Sequence, residues 1–384
     1  GNDRGDGGVV TTGGGGFGVM ALVVGMERNW ISRETGVAQL LKIVKFLGKS
    51  ERFHGVWSHW YNQDGSAHPF GSQVDTGDLI ETSFMVAGLL TASEYLTDNV
   101  AAEKEVRDSV ESFMQTIEWD FYSGTDGLYW LWEQPKNLKW LKIQGWNEGM
   151  IAYILAMGAP DHQKISPDIY EKGFFNNGSF YNPGREFAGY PLELGESKGG
   201  PLFFSHYSFL GLNPHLMEDK YANYWMHNQA HTLINRHYCL YEAPASYLYG
   251  EKDWGLTACY GTAPNTDYKA RSPLNDDGVI APTAALSAYP YTPFYSTQVL
   301  MRLNSDDLVH GKYGFADSYS PSARTAEKRH LAIDKGPIVV MMENYRSGLI
   351  RNLLMKNKYI IRGLQAAQIH TPVYAEGFHK QMLN

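Results

Sequence analysis

The sequence predicts an all-α protein, and three observations carry that prediction. Apolar residues recur at helical spacing in segment after segment. No stretch sustains the period-two alternation of a half-buried strand. The segments are separated by long loops rich in Gly, Pro, Asn, Asp and aromatic residues, as stacked helical hairpins with loops gathered on one face would have. A ring of helices is one such arrangement, and spacing alone does not show that it closes.

The first clear helix follows Ser32, a plausible N-cap, with Val37, Leu40, Leu41, Val44 and Leu47 on one face and Gly48 as its stop. Further helices are expected from about Asp78 to Leu96, Ala101 to Thr116, Glu148 to Met157 and Tyr221 to Arg236. Others follow from Thr283 to Ala288, Pro293 to Leu303 and Pro337 to Met355. Between them lie the loops His54–Thr76, Phe121–Trp146, Pro160–Gly200 and Cys239–Pro282, long enough to be expected to build a site. Strands should be minor, with Leu128–Trp132 the best strand-like run.

At 384 residues, with charged residues only 19% of the chain and no compositional break to mark a linker, one large closed architecture over 1–384 is expected rather than two domains. The net charge of −8 and the lack of a Lys/Arg block exclude the electrostatic footprint of a nucleic-acid binder. The longest apolar run, Phe17–Gly25, is about half of what a membrane-spanning helix needs. Cys239 and Cys259 are too few for a disulfide framework, although they could bridge each other. The 10 Trp, 25 Tyr and 17 Phe suit either a large aromatic core or a cleft in which sugar rings stack.

Carboxylates beside aromatics form three clusters, the pattern that acid/base cleavage of a glycosidic bond needs. In Asp75-Thr-Gly-Asp78-Leu-Ile-Glu81, Asp78 and Glu81 face one way at a helix start, but the same spacing reads as a capping box. In Gly145-Trp146-Asn-Glu148, a lone Glu opens an apolar helix and either serves chemistry or complements the helix dipole. In the third, Asp334 is read as a cap, and Glu343 lies inside an apolar helix with Arg346 as its expected ion-pair partner. His227 and His231 are four apart on one helix, yet a core or sugar-contacting role is favoured over a metal. The run TTGGGGFG lacks the Lys-Ser/Thr ending of a phosphate loop, and Gly-x-Ser-x-Gly is absent.

The stretches VVTTGGGGFGVMALVVGMERNWISRE, GDLIETSFMVAGLLTASEYL, GWNEGMIAYILAMGAP and GPLFFSHYSFLGLNP occur in this order. They are followed by YGEKDWGLTA, DDGVIAPTAALSAYPYTP and IDKGPIVVMMENYRSGLI. Together they resemble the bacterial glucoamylase-like proteins, glycoside hydrolase family 144, which includes endo- and exo-β-1,2-glucanases. The resemblance covers most of Val9–Met355. It implies an (α/α)6 toroid with a loop-built cleft, hydrolysis of a β-glucan with inversion, no metal or cofactor, and an oligo- or polysaccharide substrate. It also implies a monomer in the periplasm or secreted, with a lipid anchor in the full-length protein as one form of this, and a native chain longer at its N-terminus.

Carried over by motif, Glu148 resembles the general acid, while Asp78, Glu81 and Asp334 fall at acidic catalytic positions. Candidate substrate contacts are Asp75, Trp132, Trp146, His206, Tyr207, Trp254, Glu343 and Arg346. Val74 stands where the family commonly has the first Asp of this motif. That departure keeps open a glycan-binding protein without catalysis, beside a hydrolase acting on another glycan such as an α-glucan.

Overall fold

The computed structural model describes residues 8–71, 76–264 and 266–372. They divide into two compact units, one of Gly1–Gly145, Gly149–Gly178 and Gly348–Gln368, the other of Trp146–Glu148, Ser179–Ser347 and Ile369–Asn384. The described residues carry twelve α-helices, and the strands are short, the longest having five residues. The helix-rich class is therefore as the periodicity predicts.

The first unit holds α1 (Gly13–Glu27), α2 (Arg33–Lys49), α3 (Leu79–Tyr95), α4 (Ala101–Met114), α5 (Met150–Gly158) and α6 (Pro167–Gly173). Helices α2 and α4 carry one apolar stripe each, and Ser32 caps α2 by accepting from the Thr35 N–H at 3.1 Å. Helices α3 and α5 are apolar on nearly every face and are buried almost throughout.

Where these inner helices meet their neighbours, backbones touch. A Cβ at Gly16 of α1 would lie 2.2 Å from the Phe84 carbonyl oxygen of α3, and one at Gly88 of α3 would lie 2.2 Å from the Gly16 carbonyl oxygen. This explains a helix that periodicity does not predict. Four consecutive glycines are poor helix formers, but they are what lets α1 approach α3.

A three-stranded antiparallel sheet of Thr76–Asp78, Tyr129–Glu133 and Leu138–Lys142 leads into α3, pairing Gly77 with Trp132 and Asp78 with Leu131. Gly77 is needed there, because a Cβ would sit 2.0 Å from the Tyr122 hydroxyl.

The second unit contains α7 (Tyr224–His237), α8 (Pro282–Ser287), α9 (Pro293–Asn304) and α10 (Ala332–Arg346), with several 3-10 turns and two-stranded hairpins. Its core gathers Leu202, Trp254, Leu256, Ile280, Leu286, Val299 and Tyr319. The helix expected over 337–355 begins five residues earlier than Pro337 and ends at Arg346. Gly348, at φ +71°, breaks it from α11 (Leu349–Leu354), which with α12 (Lys358–Ala366) belongs to the first unit. Helices α5 and α12 repeat the glycine device. A Cβ at Gly158 would lie 1.8 Å from the Tyr359 carbonyl oxygen, and one at Gly363 would lie 2.0 Å from that of Ile154. Cys239 and Cys259 are both free and buried, so they form no bridge.

Two substitutions in α1 should separate close approach from helix propensity. Gly16→Ala should cost about 1–3 kcal/mol or more through overpacking against the Phe84 carbonyl. At Gly18 a Cβ would meet nothing within 4 Å, so Gly18→Ala should stabilise by about 0.5–1 kcal/mol. Thermal unfolding of the two variants beside the parent checks both signs.

Candidate active site

Asp78 and Glu81 come together in the first unit. Asp78 is the N-cap of α3, and its Oδ1 accepts from the Glu81 N–H at 2.9 Å. Its Oδ2 lies 2.8 Å from Nδ1 of His59, a residue the sequence reading missed. The capping box is only half formed, because the Glu81 carboxylate turns away and accepts from the Gly13 N–H at 2.6 Å. A Cβ at Gly13 would lie 2.5 Å from that oxygen, so the glycine run makes room for the acid as well as for the helix.

Burial raises the Glu81 carboxyl above its usual range and Asp78 adds to the rise, with His59 opposing. Burial also disfavours the imidazolium, but Glu81 and Asp78 outweigh it and hold His59 above the ordinary histidine range. Phe70 stacks on the His59 ring at 3.9 Å. Asp75 and Val74 lie outside the described residues.

Glu148 is not in the first turn of α5. It sits in the turn before the N-cap, Gly149, and is only 7% exposed. The dipole argument made for a first-turn Glu therefore weakens with its distance from the helix. Its main-chain carbonyl is fixed by the Ser208 hydroxyl at 2.5 Å, and the segment after Ser208 is held by Asn344, whose side-chain amide donates to the Leu210 carbonyl at 2.8 Å. Trp146 packs between aromatics, stacked with Phe209 and Tyr224 and edge-on to His227.

Asp334 is not the cap of α10. Leu331 holds that position, and Asp334 lies within the first turn with both carboxylate oxygens accepting from the Tyr268 hydroxyl, at 3.1 and 3.2 Å. Asp317, a second buried carboxyl that sequence reasoning missed, lies close enough for each of the two acids to act on the other's charge. Each is 2% exposed, and Asp317 is held in turn by the Tyr260 N–H at 2.8 Å. Burial raises both carboxyls, Asp317 to about 6, and each has the other beside it.

The remaining candidates divide. Tyr207 stacks on Phe203, and His206 lies parallel to Tyr291 at 6.3 Å. Trp132 is enclosed by Phe53, His54 and Phe121. Trp254 is a correction: at 1% exposure it belongs to the apolar core of its unit and presents no face to a sugar. Glu343 accepts from the Ser347 hydroxyl one turn on, whereas Arg346, its expected partner, is exposed in the last turn of α10.

His231 is a satisfied core histidine. One ring nitrogen faces the Gly200 carbonyl at 3.0 Å and must carry the proton, and the other accepts from the Ser205 hydroxyl at 2.7 Å.

A helix-rich fold with carboxylates set among buried aromatics defines a glucoamylase-like class of protein, and the comparisons agree. The family model Glycoamylase, described as "Putative glucoamylase", matches residues 140–358. A solved structure from Bacteroides uniformis with the same description is 42% identical, covers 97% of this chain and 91% of its own, and superposes with a TM-score of 0.91. An endo-β-1,2-glucanase of Chitinophaga pinensis, solved with sophorotriose and glucose, is 44% identical over 96% of this chain and 90% of its own, with a TM-score of 0.90. The chain belongs to this glucoamylase-like family, and its helix-rich fold is similar to the family's toroids. An exo-β-1,2-glucooligosaccharide sophorohydrolase of Parabacteroides distasonis is 38% identical over 94% of this chain, which spans 53% of that protein.

Burial holds His231 neutral, lowering it from 6.5 to about 4. The unfolded chain therefore binds the extra proton first, and stability present above the ordinary histidine value is lost as pH falls from 6.5 towards 4. The full loss from this one group should be about 3 kcal/mol. Unfolding midpoints measured across that window should fall less steeply in His231→Asn than in the parent.

Proposed function

We propose that this chain is the catalytic part of an inverting glycoside hydrolase that cleaves β-1,2-glucan or its oligosaccharides without a metal or cofactor. The observation that carries the reading is the 44% identity, over 96% of the chain, with the Chitinophaga endo-β-1,2-glucanase complex. In this reading Glu148 protonates the leaving glycosidic oxygen, its main chain fixed by the Ser208 hydroxyl. Asp78, Glu81 and Asp334 supply the remaining carboxylates, one of which activates water directly or through a substrate hydroxyl. His206 and Tyr207 offer polar edges to the sugar, and the protein acts as a monomer in the periplasm or outside the cell.

The experiment is incubation of the purified chain with linear β-1,2-glucan and with starch, reading products by chromatography beside Glu148→Gln. Release of short β-1,2-oligomers by the parent is expected, with a rate in Glu148→Gln lower by on the order of 10²–10⁴ and its unfolding midpoint unchanged. A ladder of lengths would mean endo action and release of the disaccharide alone would mean exo action. Undiminished turnover by Glu148→Gln would remove that residue from its role.

A further inference from the structure

Asp317 has no place in the reading above, yet it is as buried as Asp334 and lies beside it. Two adjoining carboxyl groups shut off from water cannot both be ionised without mutual repulsion in a medium that screens poorly, so such a pair holds one proton between them. The surroundings are arranged around that proton. Tyr260 N–H donates to Oδ2 of Asp317 at 2.8 Å, and Oδ1 is buried and accepts from no N–H or O–H, as an oxygen facing another carboxyl would be. The Tyr268 hydroxyl bridges both oxygens of Asp334, while its ring reaches the surface at 39% exposure.

We propose that Asp317 is a positioning residue that keeps Asp334 half of a single-proton carboxyl pair, and so sets the protonation state Asp334 presents to the reaction. This rests on the glycoside hydrolase reading for the reaction itself. Asp317 need not touch substrate; it acts through Asp334. The other titratable and charged groups facing the pair are Tyr268 and Cys259 from one hairpin, Glu327 from the next, Lys335 from α10, and Tyr207 beyond Tyr268. Burial is the leading cause of the rise in both carboxyls, and Lys335 opposes it in each.

The test has two arms on the intact chain. In the first, ¹³C NMR follows aspartate side-chain carboxyls from pH 4 to 8 in the parent, Asp317→Asn and Asp334→Asn. The expected result is a two-step titration of the pair in the parent. In Asp317→Asn, whose amide keeps the hydrogen bond but carries no charge, the Asp334 carbon should titrate at least one pH unit lower. An unshifted Asp334 overturns the proposal. Should Asp317→Asn not fold, Tyr268→Phe serves instead: the two-step titration must persist and move upward, and independent single steps overturn the pairing.

In the second arm, the pH profile of kcat/KM on linear β-1,2-glucan should have one limb lower by a pH unit or more in Asp317→Asn, with KM little changed. An identical profile overturns the positioning role. Absence of hydrolysis by the parent would defeat the functional reading while the NMR result still decides the pair.

Discussion

The contact between α1 and α3 is backbone against backbone, and the acidic cluster of the first unit depends on it. Because Gly16 and Gly88 let the two helices meet without side chains between them, the start of α1 is brought to the start of α3. There the Gly13 N–H, one of the donors a helix leaves unmet in its first turn, finds the Glu81 carboxylate. Glu81 is thereby drawn away from the reciprocal capping bond that its spacing from Asp78 suggests. Asp78, capping α3 with one oxygen, keeps the other for His59. A packing feature thus decides the orientation of two acids, and any side chain on those glycines would disturb chemistry and stability together.

The two units meet the cost of buried acids in different ways. In the first, a basic ring stands among the acids: His59 bonds Asp78, and it and Glu81 each favour the other's charged form. In the second, Asp317 and Asp334 have no such ring in bonding contact, and a proton takes its place. The first arrangement orients its two carboxyls by bonds to a ring nitrogen and to main-chain N–H groups. The second makes a carboxyl whose charge responds to pH near neutrality, the property that proton transfer requires.

Much of the fold was legible because burial follows period: α2, α3, α4, α7 and α9 lie close to where apolar spacing puts them. What spacing could not show was α1, since its glycines count against a helix locally and favour it only through a neighbour more than sixty residues away. The stop at Gly348 was hidden for the opposite reason, an apolar pattern that runs on across a left-handed residue. At the site, Asp78 and Glu81 were visible because their pairing is local to one helix start. His59 and Asp317 were not, because each acquires meaning from a partner that only the chain's folding brings near. The resemblance supplied Asp334 by motif but could say nothing of the carboxyl beside it.

Glu148 sits differently from where its sequence context puts it. Read as the first residue of a helix, it would be stabilised as an anion by the dipole, the opposite of what a proton donor needs. In the structure it precedes the cap and owes its place to side-chain-to-backbone bonds from Ser208 and, one step back, Asn344. A carboxyl held by its main chain leaves the side chain's own bonding and charge to be set by what surrounds it. Trp146, two residues earlier, is fixed separately, buried among Phe209, Tyr224 and His227.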